Sequence, residues 1–136
     1  MRVVIGGTHA GKRDAVRAWG GAPRWLEADC LLEGPPPAGD LVIDGWAAWI
    51  AAQLEGEADN DRLRARLVQT LETLLAAERR TGATITLILK EMGRGIVPMS
   101  RRQRRLRDLN GWLAQDAAAR AEAVYYVWHG LVRRLV

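Results

Sequence analysis

The sequence predicts one α/β domain, residues 1–136, with a mostly parallel sheet and helices on both faces. A length of 136 residues, with 49% hydrophobic and 26% charged residues, is typical of a single globular domain. Short β-branched runs alternate with longer segments of helical periodicity, which is the order of elements in α/β folds. The strand-like runs are continuously apolar rather than alternating, and this favours parallel strands that are covered on both faces.

Four apolar runs are predicted to be strands, and a fifth, shorter candidate follows them. They are residues 2–5, 40–43, 83–89, 123–128 and 131–136. Turn-forming residues bound the first two, which end in Gly6-Gly7 and Asp44-Gly45.

Leucines at spacings of three and four predict a long helix over about residues 60–80. They are Leu63, Leu67, Leu71, Leu74 and Leu75. Asp59, Asn60 or Asp61 can cap the start of this helix, because short polar side chains accept hydrogen bonds from the first free amides.

Three further helices are predicted. A second apolar pattern places one over about residues 100–120, with Ser100 as its cap. One helix is expected just after Gly11 and another over about residues 46–54. Trp46 and Trp49 lie in this last segment, and they are interpreted as core residues or as an interface patch.

Composition argues against several classes of protein. No apolar run approaches the ~20 residues that a bilayer-spanning helix needs, and residues 1–5 are too short for the apolar region of a signal peptide. Cys30 is the only cysteine, and His9 and His129 are far apart in sequence, which makes an internal disulfide impossible and a zinc site improbable. A cytoplasmic location is therefore expected.

The net charge of +4 is unevenly distributed. Residues 94–107 contain six arginines and no acidic residue, whereas residues 27–61 carry the acidic excess. A basic segment suits the phosphates of a nucleotide, a small substrate or a nucleic acid. A solvated helix face is the alternative interpretation.

The strongest local motif follows the first predicted strand and precedes the first predicted helix. It matches the phosphate-binding pattern G-x-x-x-x-G-K and consists of Gly6, Gly7, Thr8, His9, Ala10, Gly11, Lys12 and Arg13. Glycines let backbone amides turn toward an anion, and Lys12 would contact the outer phosphates. The pattern normally ends in a Ser or Thr that ligates Mg²⁺, and Arg13 stands there instead. The alternative is a glycine-rich turn with an incidental lysine.

Two further positions carry reactive side chains at the ends of predicted strands. Asp44 closes an apolar strand, where an acid that orders Mg²⁺ stands in phosphate-loop proteins, although it could equally cap the next helix. Glu91 and Arg94 follow the third strand in a loop shaped by glycines and a proline. Ligands of open α/β sheets bind at such carboxyl ends.

Three segments, in this order along the chain, are similar to those of a known family. Residues 6–13 look like G-G-x-x-S-G-K-S, and residues 41–49, LVIDGWAAW, look like a strand of the form LLIDCLTLWL. Residues 91–98, EMGRGIVP, resemble N-E-V-G-x-G-I-V-P. The residues that follow match R-x-F-R-D-x-x-G-x-x-N-Q at Arg104, Arg107, Asp108, Gly111 and Gln115. The family with these motifs is that of adenosylcobinamide kinase/adenosylcobinamide-phosphate guanylyltransferase.

The resemblance implies a phosphate-loop NTPase-like fold that binds GTP or ATP, with Mg²⁺ and adenosylcobinamide as possible further ligands. The catalytic candidates are Lys12, Asp44, Glu91 and Arg94. Lys12 would hold phosphates and Asp44 would order Mg²⁺, while Glu91 would ligate the metal through water or orient the accepting hydroxyl. Arg94, Arg104 and Arg107 would neutralise charge on the substrate or the transition state. The family also implies a homo-oligomer, a trimer.

This sequence departs from the family pattern in two respects. The family has Ser or Thr in place of Arg13, and Asn in place of both Lys90 and Ala114. Between the first helix and residues 23–25, the family has a strand and a helix that include the guanylylated histidine, and here only a short connection remains. By sequence position, neither His9 nor His129 replaces that histidine.

We therefore expect a purine-nucleotide-binding protein without guanylyl transfer, in which phosphoryl transfer to a hydroxyl is the remaining possible reaction. One alternative is a catalytically inactive binding or assembly protein on the same fold. A weaker alternative is nucleic-acid binding through the arginine-rich helix, which the family motif disfavours because it already accounts for Arg104 and Arg107.

Overall fold

A computed structural model describes residues 1–92 and 100–136 of the chain. Within these residues, helices and strands alternate along most of the chain, as the sequence predicts. The elements are β1 (Arg2–Gly6), α1 (Lys12–Arg17), β2 (Arg24–Glu27), a 3₁₀ helix (Ala28–Glu33), β3 (Leu41–Asp44), α2 (Trp46–Gln53), α3 (Asn60–Thr81), β4 (Ile85–Lys90), α4 (Arg101–Arg120), β5 (Ala123–Trp128) and β6 (Leu131–Arg134).

The six strands form one sheet in the order β2-β3-β4-β1-β5-β6. All neighbouring strands are parallel except β5 and β6, which form an antiparallel hairpin. The predicted mostly parallel α/β fold is therefore confirmed. Because β1 lies between β4 and β5, the loop that follows β1 is flanked by the carboxyl ends of both neighbours.

Helices cover both faces of the sheet, but unequally. The larger apolar cluster joins one sheet face to α2, α3 and α4, and Val3, Leu71 and Leu87 lie at its centre. The smaller cluster joins the opposite face to α1, mainly through contacts of Val16 with Val4 and neighbouring residues. The short helix α1 thus lies on the sheet face that is covered by fewer helices.

The two long helices begin where their caps predict. The Asp59 carboxylate accepts hydrogen bonds from the amides of Asp61 and Arg62, at 2.9 and 3.4 Å. Ser100 forms a reciprocal capping box with Gln103 at the start of α4. Arg64 of α3 donates two hydrogen bonds to Asp116 of α4, at 3.0 and 2.9 Å, which fixes the two helices relative to each other.

The sequence analysis missed β2 and the 3₁₀ helix. β2 is four residues long, lies at a sheet edge and has exposed residues at both ends, so it lacks the continuous apolar run that identifies the central strands. The fifth predicted strand is present as β6, although it is shorter, exposed and antiparallel. In the described part of the chain, no helix is long and apolar enough to cross a membrane.

The fold makes a direct prediction about Leu71, which is fully buried between the sheet and the helices. Leu71→Ala should lower the free energy of unfolding by about 2–5 kcal/mol, because the cavity adds to the loss of apolar burial. Leu32→Ala is the matched control, since Leu32 is 59% exposed and its truncation should change stability by less than about 0.5 kcal/mol. Urea denaturation of both variants measures the difference, and equal stabilities would contradict this description of the core.

Candidate functional site

The loop between β1 and α1 is shaped by two glycines at which a side chain would clash or be strained. A Cβ atom on Gly6 would lie 2.6 Å from the carbonyl oxygen of Val127, which is too close for any side chain. Gly11 has a φ of 94°, in the left-handed region that favours glycine, and directly precedes the first residue of α1. Two glycines of the predicted phosphate loop, Gly6 and Gly11, therefore meet a steric or conformational requirement.

A cleft of about 450 Å³ lies against this loop. It is lined by Thr8, His9, Ala10, Gly11, Lys12, Arg13, Asp14, Arg17, Asp44 and Lys90. We call it the phosphate-loop cleft. Four of its side chains are Lys or Arg and two are carboxylates, so its lining favours an anion.

Lys12 is the most enclosed of these cations. Its Nζ donates a hydrogen bond to the carbonyl oxygen of Gly7 at 2.6 Å, across the loop. Burial lowers the pKa of Lys12, nearby Asp44 raises it in part, and Lys90 lowers it further. An anion in the cleft would favour the charged ammonium, which the partial burial now disfavours.

Arg13 forms an ion pair with the acid that was predicted to order Mg²⁺. Its Nε donates to Asp44 Oδ2 at 2.8 Å, and its Nη2 reaches Glu27 Oε1 at 3.4 Å. The hydrogen bond and charge of Asp44 raise the pKa of Arg13, with a smaller contribution from Glu27. The second Asp44 oxygen accepts the amide of Gly45 at 2.7 Å, so both carboxylate oxygens already have donors.

This arrangement corrects one alternative and adds a residue that the sequence analysis missed. Gly45 is the N-cap of α2 and there is no side-chain cap, so Asp44 does not cap that helix. Glu27 stands beside Asp44 because β2 pairs in parallel with β3, in the register Glu27↔Asp44. Glu27 could have been predicted as a site residue only if β2 had been predicted as a strand that pairs with β3.

Glu91 lies next to the phosphate loop but does not line the cleft. Its carboxylate accepts a hydrogen bond from the hydroxyl of Tyr126 at 2.5 Å. The peptide that joins Lys90 to Glu91 is held from both sides. Its amide donates to Gly6 O at 2.8 Å, and its carbonyl accepts from Asn110 Nδ2 at 2.5 Å. Asn110 is buried and is a second positioning residue that the sequence analysis missed.

The remaining predicted site residues lie elsewhere. Arg104 is exposed on α4, and Arg107 pairs with Asp108 at 3.1 Å; neither lines the phosphate-loop cleft. Arg94 lies outside the described residues. Trp46 and Trp49 are buried in the larger apolar cluster, which confirms them as core residues.

The structure brings both histidines to the phosphate loop. His9 is part of the loop and lines the cleft. His129 occupies the turn between β5 and β6, where the amide of the next residue, Gly130, donates to Ala10 O at 2.9 Å. The turn that carries His129 lies against the loop, although it is distant in sequence, because β5 is a direct neighbour of β1.

A parallel sheet with a glycine-rich, lysine-bearing loop after its central strand defines an α/β protein of the phosphate-loop type. Residues 7–135 match the family model described as cobinamide kinase / cobinamide phosphate guanyltransferase. The chain belongs to this family, which confirms the resemblance of its motifs.

Two bacterial relatives are similar to this chain over most of its length. Each is a bifunctional adenosylcobalamin biosynthesis protein CobU, one from Escherichia coli and one from Salmonella typhimurium. Each is 29% identical over 122 residues, which cover 83% of this chain and 67% of the relative. About a third of each relative lies outside the alignment.

Proposed function

We propose that this chain binds a purine nucleoside triphosphate, GTP or ATP, with the phosphates in the phosphate-loop cleft. The observation that carries the proposal is the concentration of four Lys and Arg side chains around a loop of phosphate-binding pattern. Lys12 would contact the outer phosphates, and the loop amides would supply further donors. The family membership of the chain supports the same ligand class.

The residues around Asp44 do not fit a Mg²⁺ site. Both oxygens of Asp44 have donors, and the guanidinium of Arg13 lies against the carboxylate that a metal would need. A guanidinium cannot ligate a cation and would repel one. We therefore propose that Arg13 itself neutralises phosphate oxygens, so that the nucleotide binds without a metal.

Guanylyl transfer is the activity that we propose is lost. The resemblance places the guanylylated histidine in a strand and helix between the first helix and residues 23–25. Here α1 ends at Arg17 and β2 begins at Arg24. His9 and His129 are close to the loop, but neither is carried by such a segment.

Phosphoryl transfer to adenosylcobinamide is, on this proposal, very slow or absent, because no metal ion would bridge the phosphates. The chain is then a nucleotide-binding relative of an enzyme of adenosylcobalamin synthesis. Turnover of adenosylcobinamide at ordinary kinase rates of roughly 1–100 s⁻¹ would contradict this part of the proposal.

Two other expectations remain proposals. By resemblance to the family, the protein would be a homo-oligomer, a trimer, which sedimentation tests. Nucleic-acid binding through α4 is disfavoured, because Arg105 directs its donors to Asn60 Oδ1 and to the carbonyl oxygens of Leu54 and Glu57. Arg102 likewise donates to the carbonyl oxygen of Ala51.

Lys12→Ala should weaken nucleotide binding by tenfold or more, because it removes the enclosed cation of the cleft. Isothermal titration with GTP and with ATP measures the change. Arg79→Ala removes one positive charge from an exposed position at the end of α3 and should leave the affinity unchanged. Equal affinity of Lys12→Ala and the wild type would refute the assignment of the phosphate loop.

Nucleotide affinity of the wild type should change less than about twofold when Mg²⁺ is added at constant ionic strength, since Arg13 occupies the metal's place. Arg13→Ser supplies a hydroxyl and frees Asp44, so its binding should become dependent on Mg²⁺. Arg17→Ser is the matched control, because Arg17 also lines the cleft but pairs with Asp14. If wild-type binding requires Mg²⁺, the proposed role of Arg13 is wrong.

Incubation with GTP that is labelled in the α-phosphate should leave no acid-labile label on the protein. Transfer to a histidine would form a bond between the imidazole nitrogen and the α-phosphorus and release pyrophosphate. Label that disappears in His9→Asn or in His129→Asn would identify a relocated nucleophile and overturn the proposed loss of guanylyl transfer.

A further inference from the structure

Two arginines of the phosphate-loop cleft lie over the same aromatic ring, that of Trp25 on β2. The guanidinium carbon of Arg17 is 5.1 Å from the ring centroid of Trp25, and that of Arg13 is 5.8 Å from it. Both distances are within the ~6 Å at which a cation is attracted to the face of an aromatic ring. Arg13 and Arg17 line the cleft, whereas Trp25 does not. Trp25 is therefore connected to the cleft through two of its cations.

The position of Trp25 does not depend on the two arginines. β2 pairs in parallel with β3, and the register places Trp25 beside Val42. The indole is half-buried and packs against the smaller apolar cluster, which includes Val16 of α1 and Val42 of β3. Strand pairing and apolar packing thus hold the ring in place, so that it can serve as a fixed surface for flexible side chains.

The two arginines need such a surface because their ion pairs constrain them only weakly. They are one helical turn apart, so both side chains leave the same face of α1. Arg17 pairs with Asp14, whose side chain is 88% exposed, and Arg13 pairs with Asp44 and Glu27. A guanidinium that lies over an indole has already lost part of its rotamer freedom, while the N–H donors at its edge can still reach a phosphate.

We propose that Trp25 is a positioning residue of the phosphate-loop cleft, whose indole holds the guanidinium groups of Arg13 and Arg17 where they receive the phosphates of the nucleotide. This inference rests on the proposed function, because it requires phosphates to bind in the cleft. When a phosphate replaces a carboxylate partner of Arg13, contact with the ring keeps the guanidinium beside the cleft. The ring acts through the two arginines and not on the base, so its removal should weaken binding of any polyphosphate.

The test measures binding of GTP and of inorganic tripolyphosphate, which has the phosphates but no base, by isothermal titration. Trp25→Leu keeps an apolar side chain against the smaller cluster but removes the aromatic face, and it should weaken binding of both compounds about tenfold. Trp25→Ile, whose β-branched side chain suits a strand, should show the same loss. Trp25→Phe should retain most of the affinity, because a phenyl ring still attracts cations.

Trp19→Leu is the matched control for loss of an indole from this face of the sheet. Trp19 also packs against the smaller apolar cluster, and the guanidinium carbon of Arg2 lies 4.6 Å from the centroid of its ring. Arg2 does not line the phosphate-loop cleft. Trp19→Leu should therefore leave both affinities within about twofold of the wild type.

A double-mutant cycle shows whether Trp25 acts through the arginines. In the Arg17→Ala background one of the two contacts with the ring is already absent. Trp25→Leu should therefore weaken tripolyphosphate binding only about threefold in that background, compared with about tenfold in the wild type. A ring that merely stabilised the fold would give the same loss in both backgrounds.

Unchanged affinities in Trp25→Leu would overturn the inference, and so would equal losses in Trp25→Leu and Trp19→Leu or equal losses in the two backgrounds. Loss of GTP binding with unchanged binding of tripolyphosphate would show that Trp25 contacts the base, which also overturns the positioning role. If wild-type protein binds neither compound, the proposed function itself is wrong and the positioning role falls with it. Binding of both compounds by the wild type, with no change in Trp25→Leu, would refute the positioning role alone.

Discussion

The parallel pairing of β1 with both β4 and β5 determines where the phosphate loop lies. It places the carboxyl end of β1 between the ends of its two neighbours, so that the loop after Gly6 can contact both. The amide of Glu91 binds the last carbonyl of β1 on one side, and Gly130 contacts the loop on the other. A Cβ on Gly6 would also meet the Val127 carbonyl, so the start of the loop lies directly against β5. Residues from three parts of the chain, the loop with α1, Asp44 and Lys90, therefore line one cleft.

Much of the fold could be predicted from the sequence because its central elements are strongly patterned. The spacing of the leucines in α3 indicates a helix, and the continuous apolar runs of β1, β3 and β4 indicate buried strands. Asp59 and Ser100 mark the starts of the two long helices. β2 could not be predicted, because a four-residue edge strand has neither a continuous apolar run nor clear alternation. Because β2 was not predicted, Glu27 was not recognised as a neighbour of Asp44. The pairing of β2 with β3 places the two residues side by side.

The candidate site was predictable to the extent that it is local in sequence. Residues 6–13 form one loop, and its motif identified Lys12 and the glycines together. The partners of Arg13 are not local, since Glu27 and Asp44 come from two strands whose register no motif encodes. For the same reason, the position of the turn at His129 and Gly130 against the loop was not predicted from the sequence. The family resemblance supplied roles for Glu91, Arg104 and Arg107, but a resemblance gives no information about which side chains line the cleft.

The contact of Arg13 with two carboxylates suggests why a guanidinium stands at this position. Asp44 and Glu27 bring two negative charges to the ends of adjacent strands, and the guanidinium of Arg13 contacts both carboxylates. Arg13 thus offsets part of their repulsion with a cation that belongs to the chain. Arg13 is 49% exposed, so its ion pairs are worth only roughly 0–1 kcal/mol each. A nucleotide phosphate with several negative charges can therefore attract the guanidinium away from Asp44 at little cost. On the proposed function, such an exchange would favour binding of the phosphate but would provide no ion to bridge the reacting oxygens, so nucleotide binding and slow turnover would be compatible in this site.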